Sequence, residues 1–195
     1  MKLRIFYHVS DKELCRIRKN IFEEVCLPIL DKHGFRRSPF EDANWGWHSF
    51  FYGYDLCRLN GNHLECISSI ICNGDKWIKI RLNIFALNPM PESLSDLDCL
   101  SGMKFRLPPN SNTDERIDIG MYEGIPLFNP RTYKSYRIRR FWTKRGLEKQ
   151  IQCLRSLLQH DMENINAIVK KWHTFHTCNL TDWEGNMIEQ KGGAQ

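Results

Sequence analysis

A chain of 195 residues, 42% hydrophobic and 26% charged, is long and apolar enough to bury a substantial core, and this composition excludes global disorder. The formal net charge of +5 favours an anionic or acidic partner without requiring a nucleic acid. No apolar run approaches the roughly 20 residues that span a bilayer, and the opening MKLRIFYHVSDKE turns polar too soon for a signal peptide. The eight cysteines, at 15, 26, 57, 66, 72, 99, 153 and 178, form no CxxC pair. They read as reduced, mostly buried small hydrophobes, and the expected location is cytoplasmic.

The first clear element is a helix over about 11–33. Ser10 and Glu13 have the spacing of a capping box. Leu14, Ile17, Ile21, Val25 and Ile29 then share one helical face. Pro28 lacks an amide hydrogen and is expected to kink this helix. Gly34 suits a left-handed cap at its end.

Between residues 46 and 87, three apolar-rich segments are separated by Asn60-Gly61 and Asn73-Gly74. Asn-Gly is favoured in tight hairpins, so the pattern predicts an antiparallel β-meander with strands at about 46–59, 63–72 and 76–87. Two-residue loops at 60–61 and 73–74 would pair Leu56 with Glu65, Tyr54 with Ile67, Phe50 with Ile71 and Ile67 with Ile80. One face then carries Phe50, Tyr52, Tyr54, Leu56, Ile67, Ile71, Ile78, Ile80, Leu82 and Ile84. The other, mixed face carries Trp47, Phe51, Asp55, Cys57, Cys66, Ser68, Trp77, Lys79, Arg81 and Asn83. A slip of one residue would scramble this separation.

Residues 88–135 form a Pro-rich irregular segment, in which 103–107 and 117–122 are expected as short strands extending the sheet. A long helix follows at about 144–173. Its stripe is Leu147, Ile151, Leu154, Leu158, Ile165, Ile168 and Trp172, and it is expected to bend near His160-Asp161 and to pack on the apolar sheet face. The reading is therefore one α+β domain over 1–178, with a polar, flexible tail at 179–195.

Three groups of residues could carry function. Arg131–Arg145 holds seven basic residues, four aromatics and no acid. It offers Arg137, Arg139, Arg140, Lys144 and Arg145 to an acidic protein or to phosphates, with aromatics placed to stack on bases. Read structurally, the same stretch is an edge strand made soluble by arginine, with Tyr136, Ile138 and Trp142 in the core. The mixed sheet face offers Trp47, Phe51, Trp77 and Phe85 with Lys79 and Arg81 as a partner-binding platform, unless the 88–135 segment or the tail covers it. His173, His176 and Cys178 have a spacing compatible with a soft metal, yet no fourth ligand is evident and helix-end histidines commonly serve as caps. No nucleophile elbow, P-loop, dinucleotide fingerprint or HExxH motif occurs, and no catalytic residue, cofactor or metal is expected.

The run Leu27-Pro28-Ile29-Leu30-Asp31-Lys32-His33-Gly34-Phe35-Arg36-Arg37 resembles the opening of a family of uncharacterised bacterial α+β domains. In these a helix ending in a Pro-Leu-Lys-Gly-Phe-basic pattern leads into a meander and then a C-terminal helix. The long Pro-rich insert departs from that pattern. The resemblance implies an element order and no activity. The expected function is a non-enzymatic protein-binding module, in its specific form an immunity-type protein neutralising a partner with an acidic surface. The alternative is a nucleic-acid-binding domain using residues 131–145.

Overall fold

The computed structural model describes residues 7–106 and 136–188. Ser10 caps helix α1 (Asp11–Ile21), its hydroxyl accepting the Glu13 amide at 3.2 Å. The reciprocal half of the capping box does not form, because the Glu13 carboxylate turns to Arg16 at 2.7 Å. Ahead of Pro28 the helix widens into a π-turn over Phe22–Cys26, where the Leu27 amide reaches back to the Phe22 carbonyl. This wide turn absorbs the hydrogen bond that proline cannot donate, and helix α2 (Leu27–Lys32) then carries Pro28 in its first turn. Gly34 ends the helix at φ 86°. The Phe35 amide bonds the Leu30 carbonyl and the Gly34 amide bonds that of Asp31, both at 3.0 Å. These are the two bonds of a Schellman cap, and Leu30 and Phe35 are both buried beside it.

The sheet is six-stranded and mostly antiparallel. Its strands are β1 (Arg36–Arg37), β2 (Trp45–His48), β3 (Phe51–Asn60), β4 (His63–Cys72), β5 (Lys79–Leu87) and β6 (Asn179–Thr181). The order is β1-β3-β4-β5-β6, with β2 also paired to β3 beside β1. The meander has the expected elements, but its register differs by two residues. Leu56 pairs with Ile67, Tyr52 with Ile71 and Arg58 with Glu65. In the expected register Glu65 would be buried opposite Leu56. In the observed one it meets Arg58 at 2.6 Å and Asn60 at 3.0 Å. The turn is Gly61-Asn62, with Gly61 at φ 60°, the arrangement of a II′ hairpin with glycine in the first central position.

The second hairpin is also shifted, with Ile67 opposite Leu82 and the ladder ending at Ile70 and Lys79. Beyond it, buried Arg18 of α1 donates to the Cys72 carbonyl at 3.1 Å and the Trp77 carbonyl at 2.7 Å. Burial pushes this guanidinium's pKa down, and three carbonyl acceptors stabilise the charge in place of a carboxylate. Shifts of two preserve which side each residue faces. Tyr54, Leu56, Ile67, Ile71, Ile78, Ile80, Leu82 and Ile84 accordingly share one buried core.

The first strand expected at 46–59 is two strands, β2 and β3, joined by a tight turn at Ser49-Phe50. Phe50 therefore does not pair with Ile71; it stands in the turn, 65% exposed. The same turn places Trp47 opposite Tyr52, on the helix-facing side and away from Phe51.

Helix α3 (Lys144–Glu163) starts at Thr143, whose hydroxyl accepts the Gly146 amide at 3.0 Å. It runs through His160-Asp161 without a break. Asp161 is buried in the seam, where its carboxylate accepts the Tyr136 hydroxyl at 2.7 Å. The interruption falls at Asn164, before α4 (Ile165–Phe175). Leu147, Leu154, Leu158, Ile165, Ile168 and Trp172 are buried against the apolar sheet face together with Ile21, Phe22 and Leu30.

The far side of the sheet has its own, smaller core of Phe40, Cys57, Leu64, Cys66, Phe85, Leu87, Leu97 and Phe105. It is closed by two 3-10 turns, Leu94–Leu97 and Met103–Arg106. Residues 103–106 thus cap the sheet as a 3-10 turn and do not extend it as a strand, with Phe105 wedged edge-on to Phe85 at 4.9 Å. The segment expected at 117–122 lies outside the described residues. The chain after Cys178 is not all tail. Asn179–Thr181 runs parallel to β5, and residues 182–188 fold back so that Thr181 bridges Met187 and the Ile188 amide bonds the Leu180 carbonyl at 2.9 Å.

Candidate functional site

Three locations stand out, two of them holding residues expected to bind a partner. The first is the connection into α3. Residues 131–135 lie outside the described residues. From there the chain alternates, with Tyr136 and Ile138 buried, Arg137 half-buried and Arg139 exposed. The cause is a single β-bridge between Arg137 and Trp77 beside the Ile78 amide bond to the Tyr136 carbonyl at 2.8 Å, which fixes two residues against the start of β5. After Ile138 the chain leaves the sheet. Arg140, Lys144 and Arg145 are exposed and make no ion pair among the described residues. Trp142 stands among them 59% exposed, so it belongs to this surface and not to the core. Lys144 and Arg145 open α3, and its first turn carries no acid.

The second location is the open end of the mixed sheet face. The Arg137 guanidinium lies over the Trp77 ring at 4.8 Å, so this cation and this aromatic from two separate stretches form one stack. Lys79 bridges to Asp75 at 3.4 Å. Phe51 stacks on His48, with centroids 5.1 Å apart. Arg81 sits opposite Ser68. Trp47 is not on this face; it is 54% exposed at the sheet edge with its ring on Tyr52.

The third location, absent from the sequence expectations, is under the cover at the other end of the mixed face. Asp55 is buried and accepts the Asn44 amide at 2.7 Å, the Asn44 side chain at 2.8 Å and the Ser68 hydroxyl. Arg106 reaches it at 3.3 Å and holds Asp42 at 3.0 Å, tying the second 3-10 turn to the sheet. The Cys57 and Cys66 sulfurs, cross-strand partners, lie 3.3 Å apart. The hydrogen bond of the Cys66 thiol to Cys57, and then burial, push its pKa well up. A cavity of about 20 Å³ remains between these groups, Asn83 and Phe105, room for one water. The arrangement is a polar clamp. A sequence signal for it did exist, since Asp55, Ser68 and Asn83 interrupt otherwise apolar strands, but their partners at 44 and 106 carry no periodicity.

The histidines near the C-terminus do not gather. His173 packs on His63 with centroids 5.3 Å apart, His176 packs on Trp172, and the Cys178 thiol donates to the Ile84 carbonyl at 3.4 Å. Burial pushes the Cys178 thiol up to about 11. Among the described residues no three His, Cys, Asp or Glu side chains are grouped to hold a metal, and no helix is long and apolar enough to cross a membrane. All eight cysteines are free. No family model, no curated protein and no solved structure matches the chain.

Proposed function

We propose that the chain is a non-enzymatic protein-binding module whose partner presents an acidic surface to the cationic patch at the start of α3. One observation carries the reading: Arg140, Lys144 and Arg145 are exposed without an ion-pair partner among the described residues, around an exposed Trp142. The positive end of a helix dipole disfavours cations, typically by about 0.3–1 kcal/mol each at a surface. Two cations in that first turn are a local cost that an outside anion removes. The aromatic supplies contact area of the kind that dominates interface energetics. Cytoplasmic action fits eight free thiols, and an immunity-type protein that neutralises such a partner is the specific form this reading takes.

The same patch also suits single-stranded nucleic acid, because Trp142 is exposed enough to stack on a base. Capture from nuclease-treated native lysate separates the two. Wild type is compared with a variant in which Arg139, Arg140, Lys144 and Arg145 are all glutamate. A protein retained by wild type and lost by the variant supports the proposal. Loss of capture on nuclease treatment, with direct binding of a 20-nucleotide single strand that weakens with salt, selects the nucleic-acid reading.

A further inference from the structure

Among the described residues, the β2 edge of the sheet is open, and it carries a row of exposed side chains that the surface around α3 does not include. Strands β1 and β2 lie end to end against the same side of β3. Arg37, Trp45 and Trp47 pair with Leu56, Tyr54 and Tyr52, three successive residues of one face, so they form a line on the helix-facing side. All three are exposed, Trp47 by 54% and Trp45 by 38%. The hairpin closes at His48 and Phe51. In a two-residue hairpin the closing pair exchanges both hydrogen bonds, and bonded and non-bonded pairs then alternate. Gly46 and His48 therefore bond to β3, while Trp45 and Trp47 turn their amide and carbonyl groups outward. No backbone partner of Trp45 or Trp47 occurs on that outer side among the described residues.

We infer that this edge receives an extended acidic segment of a partner protein as an added antiparallel or parallel strand, with apolar side chains against Trp45 and Trp47 and a carboxylate against Arg37. Unpaired strand groups at an edge are a template for another strand, and main-chain bonds supply affinity while alternate side chains supply specificity in this mode of recognition. Charge decides the occupant. The Arg37 guanidinium lies 5.5 Å from the Trp45 ring and has no carboxylate among the described residues. Neither β1 nor β2 contains an acid. A second copy of this chain would bring the same uncompensated arginine and another net charge of +5. An acidic strand meets all three features at once. The inference rests on the protein-binding reading for its partner class and on separate residues for its geometry.

The test uses the full chain, labelled with nitrogen-15, and a blocked peptide Glu-Thr-Val-Thr-Val-Thr-Glu, which places a glutamate near Arg37 in either direction. The expected result is saturable shifts at the Trp45 and Trp47 amides and slower exchange of both. Affinity should fall about three- to tenfold, roughly 0.7–1.4 kcal/mol, with glutamine in place of glutamate or with Arg37→Gln. N-methylation of alternate peptide amides, which leaves the protein untouched, should abolish binding. Equal affinity for the glutamine peptide, or no shift at β2, overturns the inference. Shifts confined to Arg139–Arg145 overturn it while leaving the proposed function standing. Loss of lysate capture in the α3 variant with β2 binding intact leaves both standing, and unchanged capture in that variant with β2 binding intact removes only the proposed α3 surface. A concentration-dependent dimer abolished by Trp47→Asp assigns the edge to a second copy and also overturns it.

Discussion

The two faces of the sheet are closed by different chemistry. The helix-facing side is sealed by α1, α2, α3 and α4 through aliphatic and aromatic contacts, with Trp172, Leu158 and Ile165 fully buried. The far side is covered at one end only, by two single 3-10 turns held by a few apolar wedges and by the Asp55–Arg106–Asp42 clamp. Apolar packing is non-directional and spreads over many contacts. A polar clamp depends on each partner being present, since a buried group left unpaired costs its full desolvation. The first face should therefore lose stability as a whole when damaged, and the second should come loose locally.

Truncation of Trp172 to alanine is the strongest way to probe the first face. It should cost about 3–5 kcal/mol, read as a lower denaturation midpoint with one cooperative transition. Asp55→Ala probes the second. It should cost about 2–3 kcal/mol, because Arg106 and Asn44 lose a buried acceptor. Hydrogen exchange should then show protection lost at 40–44 and 100–106 while β4 and β5 keep theirs; a uniform loss would dissolve the contrast between the faces. Ser10→Ala removes the cap of α1 at a cost of about 1 kcal/mol, and a much larger loss in thermal denaturation would mean the helical layer depends on local capping more than on packing. The smallest effect concerns the rim where β4 meets α4. Burial, then the neighbouring His173, push the His63 pKa down from 6.5. The folded state thus binds fewer protons than the unfolded one in this window. The stability contributed by neutral His63 is complete above about 6.5 and is lost as pH falls through the lower folded value. An NMR titration should place the His63 midpoint below 6.5, and His173→Gln should raise it.

Parity was readable where register was not. Alternation told which residues share a side, and the eight core residues from Tyr54 to Ile84 do share one. Register depended on two arginines that periodicity does not register. Arg58 draws Glu65 opposite itself, and Arg18 takes the carbonyls of Cys72 and Trp77. The Ser49-Phe50 reversal is hard to read because it holds no glycine, proline or asparagine and an apolar Phe50 continues the alternation, which sets Trp47 on the other side of the sheet from the one alternation predicts. The symmetric placing of Gly46 and Gly53 about that turn, which pair directly, was the available signal. The cover of the mixed face was illegible for a simpler reason: Leu97 and Phe105 sit on single turns, too short for any period to show.

The fold-back after β6 has a consequence for assembly. Met187 bridges Thr181 as an isolated residue on the outer side of the last strand, so that end of the sheet offers no ladder to a newcomer. Among the described residues, it is the outer side of β2 that leaves strand groups unpaired. A sheet that is adhesive at one margin and sealed at the other terminates after a single addition, and head-to-tail polymers built through the strands have nowhere to continue.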